Sequence, residues 1–118
     1  MFYGSAFILK GYIMKITAVI VAGGKGTRMG ADKNKVFLKI LGREVLYYTI
    51  SAFEKNDKID DIIVVTGKND IEECQILVDK YDIKKVSYIT EGGATRQESV
   101  MNGLKKAEGD IVLIHDGA

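Results

Sequence analysis

Val19-Ile20-Val21-Ala22-Gly23-Gly24-Lys25-Gly26-Thr27-Arg28-Met29 places three glycines, a hydroxyl and a guanidinium directly behind an aliphatic run. Glycine removes side chains where a backbone must touch something large, and Thr27 and Arg28 add a donor and a fixed positive charge. Bare amides at the carboxyl end of a buried strand bind phosphate, so the segment reads as a loop that wraps the phosphates of a nucleotide. Lys35 lies seven residues past Arg28 and adds a second cation.

Two more segments carry chemistry. Gly92-Gly93 lets a flat ligand approach the backbone closely, and Arg96 and Ser99 fall one helical turn apart, so both can face one cleft. Asp116, at a strand end, can hold Mg²⁺ by one carboxylate, which suits a metal bound mainly by substrate phosphates and water. Each has a plainer reading: a structural strand-to-loop turn for Gly23 to Arg28, a solvated first helical turn for Arg96 and Ser99, and an Asp-Gly turn at Asp116. His115 is expected to pack or orient rather than catalyse, and Cys74, on an apolar helix face, to be core.

Apolar periodicity supplies the elements that must position these residues. Ile16 to Ala22 is a near-continuous aliphatic run, expected of a strand buried on both faces. Further strands are expected at Asp61 to Thr66, Lys85 to Thr90 and Asp110 to His115. Helical stripes fall between them. Glu44 to Lys55 carries Val45, Leu46, Thr49, Ile50 and Phe53; Asp70 to Tyr81 carries Ile71, Cys74, Leu77, Val78 and Tyr81. Thr95 to Ala107 carries Val100, Met101, Leu104 and Ala107, with Thr95 and Glu98 spaced as a capping box. Val36 to Ile40 is ambiguous and fits a short strand leading into Leu41-Gly42. Strict alternation implies right-handed βαβ crossovers, hence an α/β fold: a Rossmann-like three-layer sandwich with a mostly parallel sheet. Ligands in such sheets sit past the carboxyl ends of the strands, where Gly23 to Arg28, Gly92 to Arg96 and His115-Asp116 all fall.

The 118 residues fit one domain, and a net charge of +1 gives no bulk field for nucleic acid or an anionic membrane. A single cysteine rules out an internal disulfide and suits a reducing cytoplasm, and no apolar run approaches the ~20 residues of a membrane span. Met1 to Ile13 lacks a basic region before its apolar part and a small-residue cleavage site, unlike a signal peptide. The expected division is an upstream or non-native extension over 1–13, with Met14 as the natural start, and an incomplete catalytic domain over 14–118. A short extra strand is the competing reading of 1–13. The apolar strand directly before Ala118 suggests truncation on the carboxyl-terminal side.

The glycine loop matches neither of two familiar phosphate binders. A Walker A loop needs four residues between its first glycine and Gly-Lys-Ser/Thr. A dinucleotide fingerprint needs a third glycine that here, as Gly30, comes one residue late. Ala22 to Met29 instead resembles the Gly-x-Gly-Thr-Arg signature of the sugar- and polyol-phosphate nucleotidyltransferases, with Asn34-Lys35 where that signature has Pro-Lys. Glu91 to Val100 resembles the Gly-Gly-x-x-Arg-x-x-Ser-Val segment of the 2-C-methyl-D-erythritol 4-phosphate cytidylyltransferase family, and Val112 to Ala118 is similar to its His-Asp-Ala/Gly-Ala-Arg-Pro segment, ending before Arg-Pro. Order and separation of all three motifs agree over about Lys15 to Ala118, the amino-terminal half of that enzyme.

The resemblance implies transfer of CMP from CTP to 2-C-methyl-D-erythritol 4-phosphate with release of pyrophosphate, in non-mevalonate isoprenoid synthesis. It implies that Arg28 and Lys35 are catalytic and that Gly23, Gly24, Gly26 and Thr27 cradle the triphosphate. Ala22, Gly93, Ala94, Arg96 and Ser99 complete the CTP site, and Asp116 binds Mg²⁺. The expected partners are CTP and a polyol phosphate, with neither nucleic acid nor membrane, in a cytoplasmic homodimer when the protein is full length. The chain as given is expected to be an inactive fragment. Ribitol 5-phosphate is the alternative acceptor, because the relatives that use it share all three motifs. A non-catalytic nucleotide-binding module and a Rossmann oxidoreductase are the readings of other classes; the late third glycine and the lack of an acidic residue at the end of the second strand weigh against the oxidoreductase.

Overall fold

Ile16–Val21 (β4) is buried along its whole length because both of its edges and both of its faces are covered. A computed structural model describes residues 2–3, 6–9, 12–23 and 35–117. In it, β4 pairs in parallel with Asp61–Thr66 (β7) on one side and Ile111–Asp116 (β9) on the other. Val86–Glu91 (β8) pairs in parallel outside β7, giving the order β8-β7-β4-β9. Parallel strands need crossovers, and Val45–Glu54 (α1), Ile71–Lys80 (α2) and Arg96–Lys106 (α3) supply them.

Side-chain alternation along β4 and β7 divides the core in two. Ala18, Ile20, Ile62 and Val64 face Leu46 and Ile50 of α1 and Cys74 and Leu77 of α2, with Val36 and Phe37 closing the same layer. Val19, Val21, Ile63 and Val65 face the other way, against Val100 and Ala107 beside α3. The result is the expected three layers. The chain steps outward from β4 through β7 to β8 with its helices on one face, then returns across the opposite face to β9. With right-handed crossovers, that reversal puts the topological switch point between β4 and β9.

The expected helices and strands form within a residue or two of their expected ends. Thr95 caps α3, its side chain accepting a hydrogen bond from Glu98 N at 3.1 Å. Burial departs from the apolar pattern in two places. Leu113 and Ile114 are 44% and 41% exposed, because β9 is an edge strand among the described residues. Met101 faces solvent, and Ser99 and Gly103 are instead the buried positions of α3. A β-carbon on Gly103 would lie 2.5 Å from Val19 Cγ1 and 2.9 Å from Val65 Cγ2, so its absence sets how closely the helix approaches the sheet.

Val36 to Ile40 resolves into a 3-10 turn over Lys35–Phe37 and the first strand of a hairpin, Lys39–Ile40 (β5) with Arg43–Glu44 (β6). Leu41 (φ 54°) and Gly42 (φ 83°) form its tip, both left-handed as a tight two-residue hairpin requires. Phe2–Tyr3 (β1), Ala6–Leu9 (β2) and Tyr12–Met14 (β3) form a separate antiparallel sheet in register Phe2↔Phe7 and Phe7↔Met14. Among the described residues these three strands do not join the parallel sheet. No helix among the described residues is long and apolar enough to cross a membrane.

Candidate functional site

Four strand exits gather at one edge of the parallel sheet, and small residues let them meet. Ala22 N donates to Val65 O at 2.6 Å and Gly92 N to Thr66 O at 2.8 Å, tying the ends of β4, β7 and β8 together. Gly117 N donates to Val21 O at 2.8 Å, bringing the end of β9 to the same place. A β-carbon on Gly117 would come 3.0 Å from Ala22 Cβ, so these two exits touch because neither carries a large side chain.

Ser99 sits beneath this floor. It is only 3% exposed, and its Oγ accepts a hydrogen bond from Gly93 N at 3.0 Å. A β-carbon on Gly92 would stand 2.5 Å from that oxygen, and one on Gly93 would collide with Glu98 Cβ. On Gly23 the nearest atoms to such a carbon would be Ser99 Oγ and the Thr66 carbonyl carbon, both at 3.7 Å. Gly23, Gly93 and Ser99 thus share one wall. Thr66 Oγ1, at the end of β7, is a buried hydroxyl with no hydrogen-bond partner among the described residues.

Arg96 and Ser99 both point into this region, but to different ends of it. Ser99 turns inward to the glycine pair, whereas Arg96 Nε reaches Asp116 Oδ1 at 3.0 Å, both side chains being more than half exposed. The His115 ring packs edge-on against Phe53 with centroids 5.4 Å apart, and its Nδ1 lies 2.5 Å from Asp116 O. Ala94 is exposed beside the glycine pair.

Lys35 is exposed on its turn, while the next two residues, Val36 and Phe37, are buried. Val36 Cγ1 would be 3.3 Å from a β-carbon on Gly117, which brings the Lys35 turn against the end of β9. The turn is held through Leu38 N to Lys35 O (3.0 Å) and Val45 N to Leu38 O (2.9 Å), and so leads to Glu44. Glu44 accepts from Lys80 Nζ at 2.9 Å and Tyr81 OH at 2.7 Å. Burial pushes the Glu44 carboxyl up, but these two bonds outweigh it and hold it at about 2. Gly24, Gly26, Thr27 and Arg28 lie outside the described residues.

Two supporting residues were not among those expected at the site. Asn102 Nδ2 donates to Glu91 O at 3.0 Å and fixes the entry to Gly92. Thr49 Oγ1 donates to Gly117 O at 2.8 Å and fixes the exit of β9. Thr49 reads as one more member of an apolar stripe, and Asn102 as a solvent-facing amide. The signal in each case is a polar side chain on the inward side of a helix that meets a strand end.

The model of the family described as 2-C-methyl-D-erythritol 4-phosphate cytidylyltransferase matches residues 16–118. The chain belongs to that family. Among curated members of the cytidylyltransferase family, the Clostridium novyi protein is 49% identical over 106 residues, covering 88% of this chain and 46% of the relative. The Clostridium acetobutylicum protein is 50% identical over 103 residues, covering 86% and 45%. The chain therefore spans about half the length of the curated relatives it matches. The crystal structure of 4-diphosphocytidyl-2C-methyl-D-erythritol synthase from Anaerococcus prevotii superimposes with a TM-score of 0.72 at 32% identity, covering 88% of this chain and 43% of that one. The inositol-1-phosphate CTP transferase of T. maritima, at 18% identity and a TM-score of 0.69, shares the fold. The cytidylyltransferase family match begins at Ile16, the first residue of β4.

Proposed function

We propose that this chain is the nucleotide-holding part of an enzyme that moves CMP from CTP to 2-C-methyl-D-erythritol 4-phosphate and releases pyrophosphate. The observation that carries the proposal is the meeting of Gly23, the Gly93–Ser99 pair and Asp116 at the switch point of a parallel sheet. The acceptor is the one named in the curated relatives.

In this reading an oxygen of the acceptor's phosphate attacks the α-phosphorus of CTP in line. One P–O bond forms, the bond from the α-phosphorus to the bridging oxygen breaks, and pyrophosphate leaves with its electron pair. The attacking phosphate is already anionic, so no protein base has to remove a proton. The work is to align two repelling anions and neutralise the charge that gathers on the phosphates. Ala22, Gly93, Ala94 and Ser99 hold the nucleoside. Ser99 accepts from Gly93 and so has its own O–H left to donate to the base. Gly23, Gly24, Gly26 and Thr27 cradle the triphosphate, and Arg28 and Lys35 face the developing charge.

The donor set suits Mg²⁺ carried by a substrate. No cluster of three or more His, Cys, Asp or Glu side chains that could hold a metal occurs among the described residues. Asp116 offers one half-exposed carboxylate, whose Oδ1 meets Arg96, and the ion would draw its other ligands from phosphates and water. When bound, it would supply charge neutralisation of the polyphosphate. We take the working form to be a cytoplasmic homodimer that meets neither nucleic acid nor membrane.

Protection against heating tests the nucleotide assignment. CTP with Mg²⁺ at a hundredfold excess over its Kd stabilises a binder by about 2.7 kcal/mol, a rise of several degrees in Tm. Protection by NAD without protection by CTP would contradict the assignment. Pyrophosphate release by the native-length protein, with methylerythritol phosphate against ribitol 5-phosphate, tests the acceptor.

A further inference from the structure

Asp116 and Arg96 both belong to the proposed site, yet they hold each other. Arg96 is the first residue of α3 and Asp116 the last of β9. Their contact, 3.0 Å from Nε to Oδ1, spans 20 positions of sequence. A guanidinium placed on a carboxylate oxygen occupies a position that a divalent ion would need. The pair is 60% and 59% exposed, so its bond is weak and readily exchanged. Asp116 is also fixed from behind: Gly117 N is bonded to Val21 O and Gly117 O to Thr49 Oγ1, so its backbone stays in place if the partner of its carboxylate changes.

We propose that Arg96 is a positioning residue that acts as the resident counter-cation of Asp116, and that a divalent ion exchanges with it there. This rests on the reading of Asp116 as a metal ligand. With no metal, the guanidinium neutralises the carboxylate and keeps it turned toward the cleft. Metal entry breaks one hydrogen bond and leaves the freed guanidinium on the rim of the same cleft. The exchange keeps the site from carrying a lone anion before the polyphosphate arrives, and makes metal binding weak until the nucleotide brings further ligands.

The test is Mn²⁺ binding without nucleotide, read as free Mn²⁺ by electron paramagnetic resonance, in the parent chain and in Arg96→Ala, Arg96→Lys and Asp116→Asn. Arg96 is exposed at the start of its helix, where alanine and lysine are both tolerated, and circular dichroism confirms the fold of each variant. Removing the competing cation is expected to tighten Mn²⁺ about two- to fivefold in Arg96→Ala. Arg96→Lys should fall between Arg96→Ala and the parent, and Asp116→Asn should abolish the tightening when combined with Arg96→Ala. Equal affinity in the parent and Arg96→Ala overturns the exchange. So does Mn²⁺ binding that survives Asp116→Asn, or no binding in any variant. Because these measurements contain no nucleotide, a failure here is distinct from a failure of CTP to protect the parent chain, which would strike the proposed function instead.

Discussion

The backbone amide of Gly93 donates to the hydroxyl oxygen of Ser99 at 3.0 Å, and the neighbouring Gly92 is the residue that leaves room for it. A methyl group at Gly92 would stand 2.5 Å from Ser99 Oγ and 3.3 Å from Val65 Cγ1. Gly92→Ala is therefore expected to displace Ser99 and weaken CTP binding at least tenfold, measured by calorimetry. Ser99→Ala keeps the backbone path and removes only the hydroxyl, so it should weaken CTP while leaving the melting temperature within a few degrees of the parent. A Gly92→Ala variant with unaltered CTP affinity would remove this wall from the site.

Gly103 poses a contest between two effects of known size. Alanine in a helix interior gains up to about 1 kcal/mol in propensity over glycine. Here the added methyl would meet Val19 Cγ1 and Val65 Cγ2, two stiff β-branched side chains that are both fully buried. Overpacking of this kind costs about 1–3 kcal/mol and should win. Urea unfolding of Gly103→Ala is expected to show a net loss of about 1–2 kcal/mol; a gain would mean that α3 can ride outward without cost.

These contacts show where the sequence is legible and where it is not. β4 was readable because a strand paired in parallel on both sides must be apolar throughout, and Ile16–Val21 is. The cap of α3 was readable because Thr95 and Glu98 lie within one turn. The Arg96–Asp116 pair spans 20 positions and the Thr49–Gly117 bond spans 68, and no local pattern encodes either. The exposure of Leu113 and Ile114 follows from the place of β9 in the sheet order, which composition does not report. Gly42 marks the hairpin tip in the sequence, but the return strand Arg43–Glu44 is not legible, because Leu41, a bulky residue with φ 54°, stands where Asn or Asp is usual.

Thr66 Oγ1 is buried and has no hydrogen-bond partner among the described residues. Leaving a buried hydroxyl unpaired costs about 1–3 kcal/mol. Thr66→Val replaces it with a methyl group of similar shape and is expected to raise stability by about 1 kcal/mol without nucleotide. The midpoint of urea unfolding checks this, and a loss of stability would show that the hydroxyl is satisfied in solution.

Glu44 gives the chain an acid-sensitive tie. Its carboxyl is held at about 2, below the ordinary 4.5, against the opposing push of burial, by bonds from Lys80 and Tyr81. A group whose folded value is depressed contributes stability above its unfolded value and loses it as pH falls toward the folded one. The contribution should therefore be complete above about pH 5 and fade between about pH 4.5 and 2. Glu44→Gln, which removes the charge of a buried carboxylate whose partner Lys80 is largely open to solvent, is expected to cost about 1 kcal/mol at pH 6 and progressively less toward pH 3. Urea midpoints at the two pH values give the comparison, and a pH-independent difference would contradict it.

The central claim is that a cytidine nucleotide binds across the exits of β4, β8 and β9. Amide chemical-shift mapping of the isotopically labelled chain with saturating CTP and Mg²⁺ tests it most directly. The account predicts that Gly23, Gly93, Ser99 and Asp116 shift together, while Lys15, Asp60 and Asp110 at the opposite end of the sheet stay still. Shifts centred on Lys15, Asp60 and Asp110, with Gly23 and Gly93 unmoved, would contradict it.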